Sequence, residues 1–192
     1  MKKLWEAKKK DKINSNLYQF EKFISQKYNL NFKQDYQKIL NWSIKNAYIF
    51  WDEIWNFCKV NGVKSKNKII KSKIFYKNKF LPNYQLNFAE NLLVKNNNDK
   101  AATFISENGF REERTWIELN NNVSKVSKFL KNIKIKKSDR IAAYMPNSIE
   151  TVEAFLSTSS IGAIWSSCSP DFGVNGVVER FSQINPKVLF VV

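Results

Sequence analysis

The sequence contains no histidine. That excludes Ser-His-Asp and Cys-His catalysis, His-ligated zinc and any histidine proton relay within the chain. Cysteine is scarce: Cys58 and Cys168 stand far apart with no C-x-x-C pairing, so neither a disulfide framework nor a cysteine-rich metal site is supported. Arginine is scarce too, four residues against 28 lysines. Sequence-specific nucleic-acid readers lean on arginine for bidentate contacts to guanine, which argues against that class. No stretch approaches the roughly 18 consecutive apolar residues of a membrane span. The basic start, Met1 to Lys10, runs into Asp11 and a polar helix pattern, without the apolar core or cleavage site of a secretory leader. The expectation is a soluble cytoplasmic protein with reduced thiols.

What is present supports a packed core. Hydrophobic residues make up 43% and charged residues 26% of 192 positions, which fits one large domain or a domain with an extension. The net charge of +15 is lopsided: residues 1–100 hold 21 basic and 8 acidic groups, residues 101–192 hold 11 and 9. Heavy use of Lys, Asn, Ile and Phe is what codon composition in an AT-rich genome can produce without any polyanion partner, and that reading is adopted. Between Lys59 and Lys79 there are eight lysines and no acid, interleaved with Ile69, Ile70, Ile74, Phe75 and Tyr76. A nucleic-acid or anionic-membrane surface is arguable there; a solvated connector is the reading adopted. No nucleic-acid and no membrane partner is expected.

The first sixty residues read as helices. Leu17, Phe20, Ile24 and Tyr28 recur at helical spacing behind Ser15 or Asn16 as N-cap. A second segment lies near Gln34 to Ile44. The third is the clearest: Ala47, Phe50, Trp51, Ile54, Trp55 and Cys58 form one apolar stripe, with Asn46 as cap. Cys58 on that stripe reads as a buried small hydrophobe, and Asn61-Gly62 ends the helix. Pro82-Asn83 is a turn, and Leu86 to Leu93 a short apolar helix or turn.

A different architecture follows residue 100. Ala101 to Ser106 and Phe110 to Arg114 are strands around an Asn108-Gly109 hairpin turn. Thr115-Trp-Ile-Glu118 is a capping box opening a helix with Trp116, Leu119, Val123, Val126, Leu130 and Ile133 on one face. Lys136 to Asp139 is a turn, and Arg140 to Met145 an apolar strand. Asn147 is the expected N-cap of a helix that Gly162 terminates. Ala163 to Cys168 is a strand, Val174 to Ile184 a helix broken by Asn185-Pro186, and Lys187 to Val192 a strand. The fold class is α/β: a helical N-terminal extension (1–60), a basic connector (61–99), then a hairpin and β-α-β-α-β units of a parallel sheet (100–192). Val188 to Val192 has the composition of a central strand with nothing after it, so the sheet is expected to be truncated.

Chemistry is expected outside the carboxyl ends of the parallel strands. Two loops lie there, Pro146-Asn147-Ser148 and Ser169 to Gly176. The second holds two glycines whose backbone can approach an anion closely, while Asp171 reads as a helix cap whose charge would repel a phosphate. It matches no dinucleotide or P-loop fingerprint. Ser166, Ser167 and Ser169 flank Cys168, but no base activates a nucleophile and Cys168 reads as buried. Glu112-Glu113 are neighbours on a strand and face opposite sides. The residues alone yield no catalytic group and no metal ligand.

The string Ile161-Gly-Ala-Ile-Trp-Ser-Ser-Cys-Ser-Pro-Asp-Phe-Gly-Val-Asn-Gly176 resembles the acetoacetyl-CoA synthetases (acetoacetate–CoA ligases), a branch of the adenylate-forming acyl-CoA synthetase superfamily. Leu86-Asn-Phe-Ala-Glu-Asn-Leu-Leu93, Arg140-Ile-Ala-Ala-Tyr-Met-Pro-Asn147 and Val178-Glu-Arg-Phe-Ser-Gln-Ile-Asn-Pro-Lys-Val-Leu-Phe190 support it, and Phe50-Trp-Asp-Glu-Ile-Trp55 is similar to the helical extension of acetyl- and acetoacetyl-CoA synthetases. The resemblance implies a ligase in which acetoacetate and Mg-ATP form acetoacetyl-AMP and pyrophosphate, after which CoA displaces AMP. It implies ATP, CoA and Mg²⁺ for the complete enzyme and a place in ketone-body and lipid metabolism. The family's phosphate loop, adenine segment, Mg²⁺-binding acid, hinge and catalytic lysine have no counterpart in these residues, so this chain alone is expected to be inactive and to bind the cofactors poorly. Ser169, Pro170, Asp171 and Phe172 fall where relatives line the CoA channel, with Pro170 and Asp171 in place of flexible positions. Arg180 reads either as a partner of CoA phosphates or as a surface helix arginine. An acetate or propionate ligase, or a basic nucleic-acid module through residues 59–79, remain the alternatives; oligomeric state is not legible.

Overall fold

The computed structural model describes residues 4–66 and 72–192. Part of the lysine-rich stretch, including Lys68, Ile69, Ile70 and Lys71, lies outside the described residues. The chain divides into two compact units, Met1–Gln85 and Leu86–Val192.

The first unit is helical: α1 (Lys9–Asn14), α2 (Asn16–Tyr28), α3 (Tyr36–Lys45) and α4 (Ala47–Phe57). Ser15 caps α2 by accepting the Tyr18 N–H, and Asn29 ends it in the left-handed conformation. Asp35 caps α3 through the N–H groups of Gln37 and Lys38. Phe20, Ile24, Phe32 and Ile39 form the core, with Trp42, Phe50, Ile54 and Phe57 packed against it. Edge-to-face ring pairs, such as Phe20 with Phe57 at 5.3 Å, add to the area they bury.

The α4 stripe is real but departs from the pattern in three places. Asn46 holds the N-cap position of the helix but makes no side-chain cap bond; its Nδ2 instead donates to the Trp42 carbonyl at the end of α3. Cys58 is exposed. It sits one residue past α4, where Lys59 takes the left-handed conformation at φ 52°. That lysine, not Asn61-Gly62, breaks the helix. Glu53, on the same helix, is 2% exposed. Lys27 Nζ and the Tyr28 hydroxyl donate to one of its oxygens at 2.7 and 2.5 Å, and Asn56 to the other. A two-residue strand β1 (Gly62–Val63) pairs with β2 (Gln85–Leu86).

The second unit opens with α5 (Phe88–Leu92), capped by Asn87. Strands β3 (Lys100–Ile105) and β4 (Arg111–Thr115) form an antiparallel hairpin closed by Gly109 at φ 84°. The capping box of Thr115 and Glu118 is complete and starts α6 (Trp116–Asn132). Then come β5 (Arg140–Tyr144), α7 (Ile149–Ser160), β6 (Ile164–Cys168), α8 (Val174–Ile184) and β7 (Val188–Val191). The three strands are parallel in the order β6-β5-β7.

Side-chain alternation sends the two faces of that sheet to different cores. Ile141, Trp165, Val188 and Phe190 pack with Leu130 and Ile135. Ala142, Tyr144 and Cys168 pack with Phe181, Val177 and Ile184 of α8. Strand β5 is central, with Ile141, Ala142 and Ala143 fully buried. Strand β7 pairs with β5 and forms an edge among the described residues. Its composition suggests a central strand, yet Leu189 and Val191 are 47% and 61% exposed.

Candidate functional site

Strands β5 and β6 end side by side, Tyr144 opposite Cys168 in register, and the two loops leave from their carboxyl ends. In the first, the Pro146 carbonyl accepts both the Ser148 N–H at 2.9 Å and the Thr151 hydroxyl at 2.6 Å. This tight turn delays the helix, so Ser148 rather than Asn147 is the N-cap, without a side-chain cap bond. Glu150 fills that helix end itself. Its carboxyl is held below the ordinary range by its own backbone N–H, with the Ser148 hydroxyl and the Arg114 charge assisting against burial.

The second loop is a single turn, Ser169 to Gly173. The Phe172 N–H donates to the Ser169 carbonyl at 3.1 Å, and the Ser169 hydroxyl donates to the Asp171 carboxylate at 2.8 Å. Asp171 therefore closes the turn and does not cap α8. The N-cap is Gly173, with no side-chain cap. Gly176 is not in the loop; it lies in the first turn of α8, where an added Cβ would touch the Phe172 ring at 3.5 Å. The expected pair of loop glycines thus reduces to Gly173, whose φ is negative. Ser169, Pro170, Asp171 and Phe172 are brought together on one accessible turn.

Two side chains hold that turn. The Tyr144 hydroxyl lies 2.7 Å from the Pro170 carbonyl oxygen and 3.1 Å from that of Phe172. The Arg180 guanidinium stacks over the Phe172 ring, 4.3 Å from its centroid, and its Nη1 reaches the Gly176 carbonyl at 3.4 Å. Arg180 is exposed, as a surface helix arginine would be, but it faces the loop. Cys168 is buried, as its strand context indicates.

The sequence pattern does not single out Tyr144. The available sign is its place at the carboxyl end of an apolar strand, where a phenol has a polar end to satisfy. A cavity of about 540 Å³ between β3 and the start of α7 is also unannounced; Ala102, Phe104, Ser106, Asn147, Ile149 and Val152 are among its walls. Beside it Arg114 reaches Glu112 at 2.7 Å, Glu153 at 3.3 Å and Glu150 at 3.4 Å. Burial disfavours the Arg114 charge, but these three carboxylates outweigh it and hold its pKa above the ordinary value. Glu112 and Glu113 do face opposite sides: Glu113 pairs with Lys100 and Arg111 instead.

Comparison with known proteins follows the same geometry. The acetoacetyl-coenzyme A synthetase of Rhizobium meliloti (strain 1021) is 38% identical over 188 residues, covering 98% of this chain and 29% of that protein. Malonamoyl-CoA synthetase vrtB of Penicillium aethiopicum is 33% identical over 92% of this chain and 25% of its own length. The solved acetoacetyl-CoA synthetase from Streptomyces lividans superposes on the whole chain with a TM-score of 0.89 at 24% identity, over 30% of its own length, a likeness of fold. The chain thus spans 25% to 30% of the length of these three proteins. A family model described as AMP-binding enzyme matches residues 91–192. Those residues are more than half of the sequence and hold the parallel strands with both of their carboxyl-end loops: the chain belongs to the AMP-binding enzyme family.

Proposed function

We propose that these residues form the amino-terminal part of an ATP-dependent acid–thiol ligase that converts acetoacetate, ATP and CoA to acetoacetyl-CoA, AMP and pyrophosphate. The observation that carries the reading is the 38% identity, along nearly the whole chain, to a relative named acetoacetyl-coenzyme A synthetase. In this reading residues 1–60 are a helical extension, 61–99 a connector and 100–192 the beginning of the adenylation domain, in a cytoplasmic enzyme.

The loop suits CoA better than ATP. It offers backbone N–H groups and an arginine at a strand end, while the Asp171 carboxylate disfavours a triphosphate placed against it. Residues 169–172 would line the channel of the CoA arm, and CoA would supply the thiol that accepts the acyl group. No residue here is assigned to ATP or Mg²⁺, because the superfamily segments that serve them have no counterpart in the 192 positions.

The test replaces the equivalent segment of the Rhizobium meliloti relative with residues 1–192. Acetoacetate-dependent pyrophosphate release by the chimera, together with none by the 192-residue chain alone, is the expected result. Robust turnover by the chain alone, or a chimera that prefers acetate or propionate, would refute it.

A further inference from the structure

We propose that residues 72–85 form a strap over α4, latched at Asp52 and poised to open when that charge is removed or screened, which uncovers Trp55. Helical spacing sets the face of α4 that the strap meets: Trp51 and Trp55 stand four apart, and so do Asp52 and Asn56. The Phe80 ring meets Trp51 with centroids 6.1 Å apart, and Tyr84 stands edge-on to Trp55 at 5.1 Å. Trp55 is 8% exposed. The Tyr84 hydroxyl donates to Asp52 Oδ1 at 3.1 Å. Lys64 Nζ donates to the same oxygen at 2.7 Å and to Asn56 Oδ1 at 2.7 Å. One carboxylate oxygen thus takes a donor from ahead of the strap and another from its far end.

Three features of the strap oppose that latch. Leu81 and Asn83 take left-handed φ values of 46° and 65°, a conformation that crowds any Cβ and suits leucine less than asparagine. Lys73, Lys77 and Lys79 give the strap three positive charges and no acid. Little apolar area holds it down: Ile74, Tyr76 and Phe80 are exposed, and Pro82 alone is buried among its described residues. Strain and like-charge repulsion favour the open form, while the two ring pairs and the Asp52 contacts favour the closed one. The charge-assisted bond from Lys64 is the strongest of these polar contacts. With side chains 35% and 25% exposed, the Lys64–Asp52 pair is within reach of salt.

Hydrogen exchange followed by NMR on the 192-residue chain tests the latch. The Tyr84 amide, which donates to the Leu81 carbonyl at 3.2 Å, reports on the strap, and the Trp55 indole N–H reports on the face beneath it. In Asp52→Asn both should exchange roughly tenfold faster, the loss of one charge-assisted hydrogen bond. The amide of Ile24, in the core of the first unit, should stay as it was. Salt at about 1 M, where the screening length falls to about 3 Å, should produce the same rise in the wild type and none further in Asp52→Asn. Unchanged Tyr84 and Trp55 exchange in the variant, or a rise matched at Ile24, would overturn the local latch. Should the variant not fold, the wild-type salt response carries the test, and its absence overturns the proposal.

Discussion

Arg114 on the hairpin strand β4 and Glu153 on α7 meet at 3.3 Å, and the carboxylate is nearly out of reach of water, 9% exposed at its side chain. Asn122 from α6 donates to the same oxygen at 2.8 Å. One buried charge thus ties three elements together across a wall of the second unit.

Removing the arginine leaves that carboxylate with one neutral partner. Arg114→Ala should cost about 3 kcal/mol, the low end for stripping one partner from a buried pair. Arg114→Ala combined with Glu153→Gln should recover part of it. Urea unfolding of both variants checks this; a loss below about 0.5 kcal/mol, as for a surface pair, would show that the contact is not a tie.

Glu53 gives the first unit an acid limit. Burial raises its carboxyl pKa, but hydrogen bonds from Lys27, Tyr28 and Asn56 outweigh that and hold it below the ordinary 4.5. Tyr28, partly desolvated and donating to the carboxylate, is pushed up to about 12. A carboxyl whose folded pKa is depressed stabilises the fold above its unfolded pKa, and that stability is lost as pH falls through the folded value. Amides of α2 and α4 should exchange faster as pH drops below 4.5, after correction for intrinsic rates, and Glu53→Gln should flatten the dependence. An equally steep profile in the variant would remove Glu53 as the cause.

Two glycines should respond oppositely to alanine. Gly162 ends α7 at φ 72°, and an added Cβ would stand 3.2 Å from Lys137 Cγ. Gly162→Ala should therefore destabilise by more than about 1 kcal/mol. Gly173 has φ −63° and nothing within 4 Å of an added Cβ, so Gly173→Ala should be neutral or stabilise by up to about 1 kcal/mol. Thermal unfolding of the pair decides it.

The thiols should titrate one at a time. Cys58 is exposed, whereas Cys168 is buried between Ala142 and Phe181. An aromatic disulfide reagent should find one reactive thiol in the native chain and a second after denaturation, and Cys58→Ser should abolish the first. Two fast thiols would contradict the packing of β6.

The capping box at Thr115, the Asn-Gly hairpin, the Gly162 terminator and the bounds of α8 all follow from signals confined to a few neighbouring residues, and so does the parallel sheet, through its runs of apolar residues. Asn147 misleads because a turn closed by Pro146 and Thr151 moves the cap by one position. Cys58 misleads because its period continues past a helix that Lys59 has already ended.

Residue types and their spacing by themselves determined the longer helices, the hairpin and the parallel strands, their order, the fold class and the family to which the loop string points, but not α1 or the short β1–β2 pair. Tertiary structure alone decided which polar groups are paired: Lys27 with Glu53, Arg114 with Glu153, Tyr144 with the Pro170 carbonyl. Helix and turn preferences come from backbone geometry within one or two turns of chain. A buried charge or hydroxyl instead takes whatever partner the packing of distant segments brings within 3 Å, and no local periodicity records that choice.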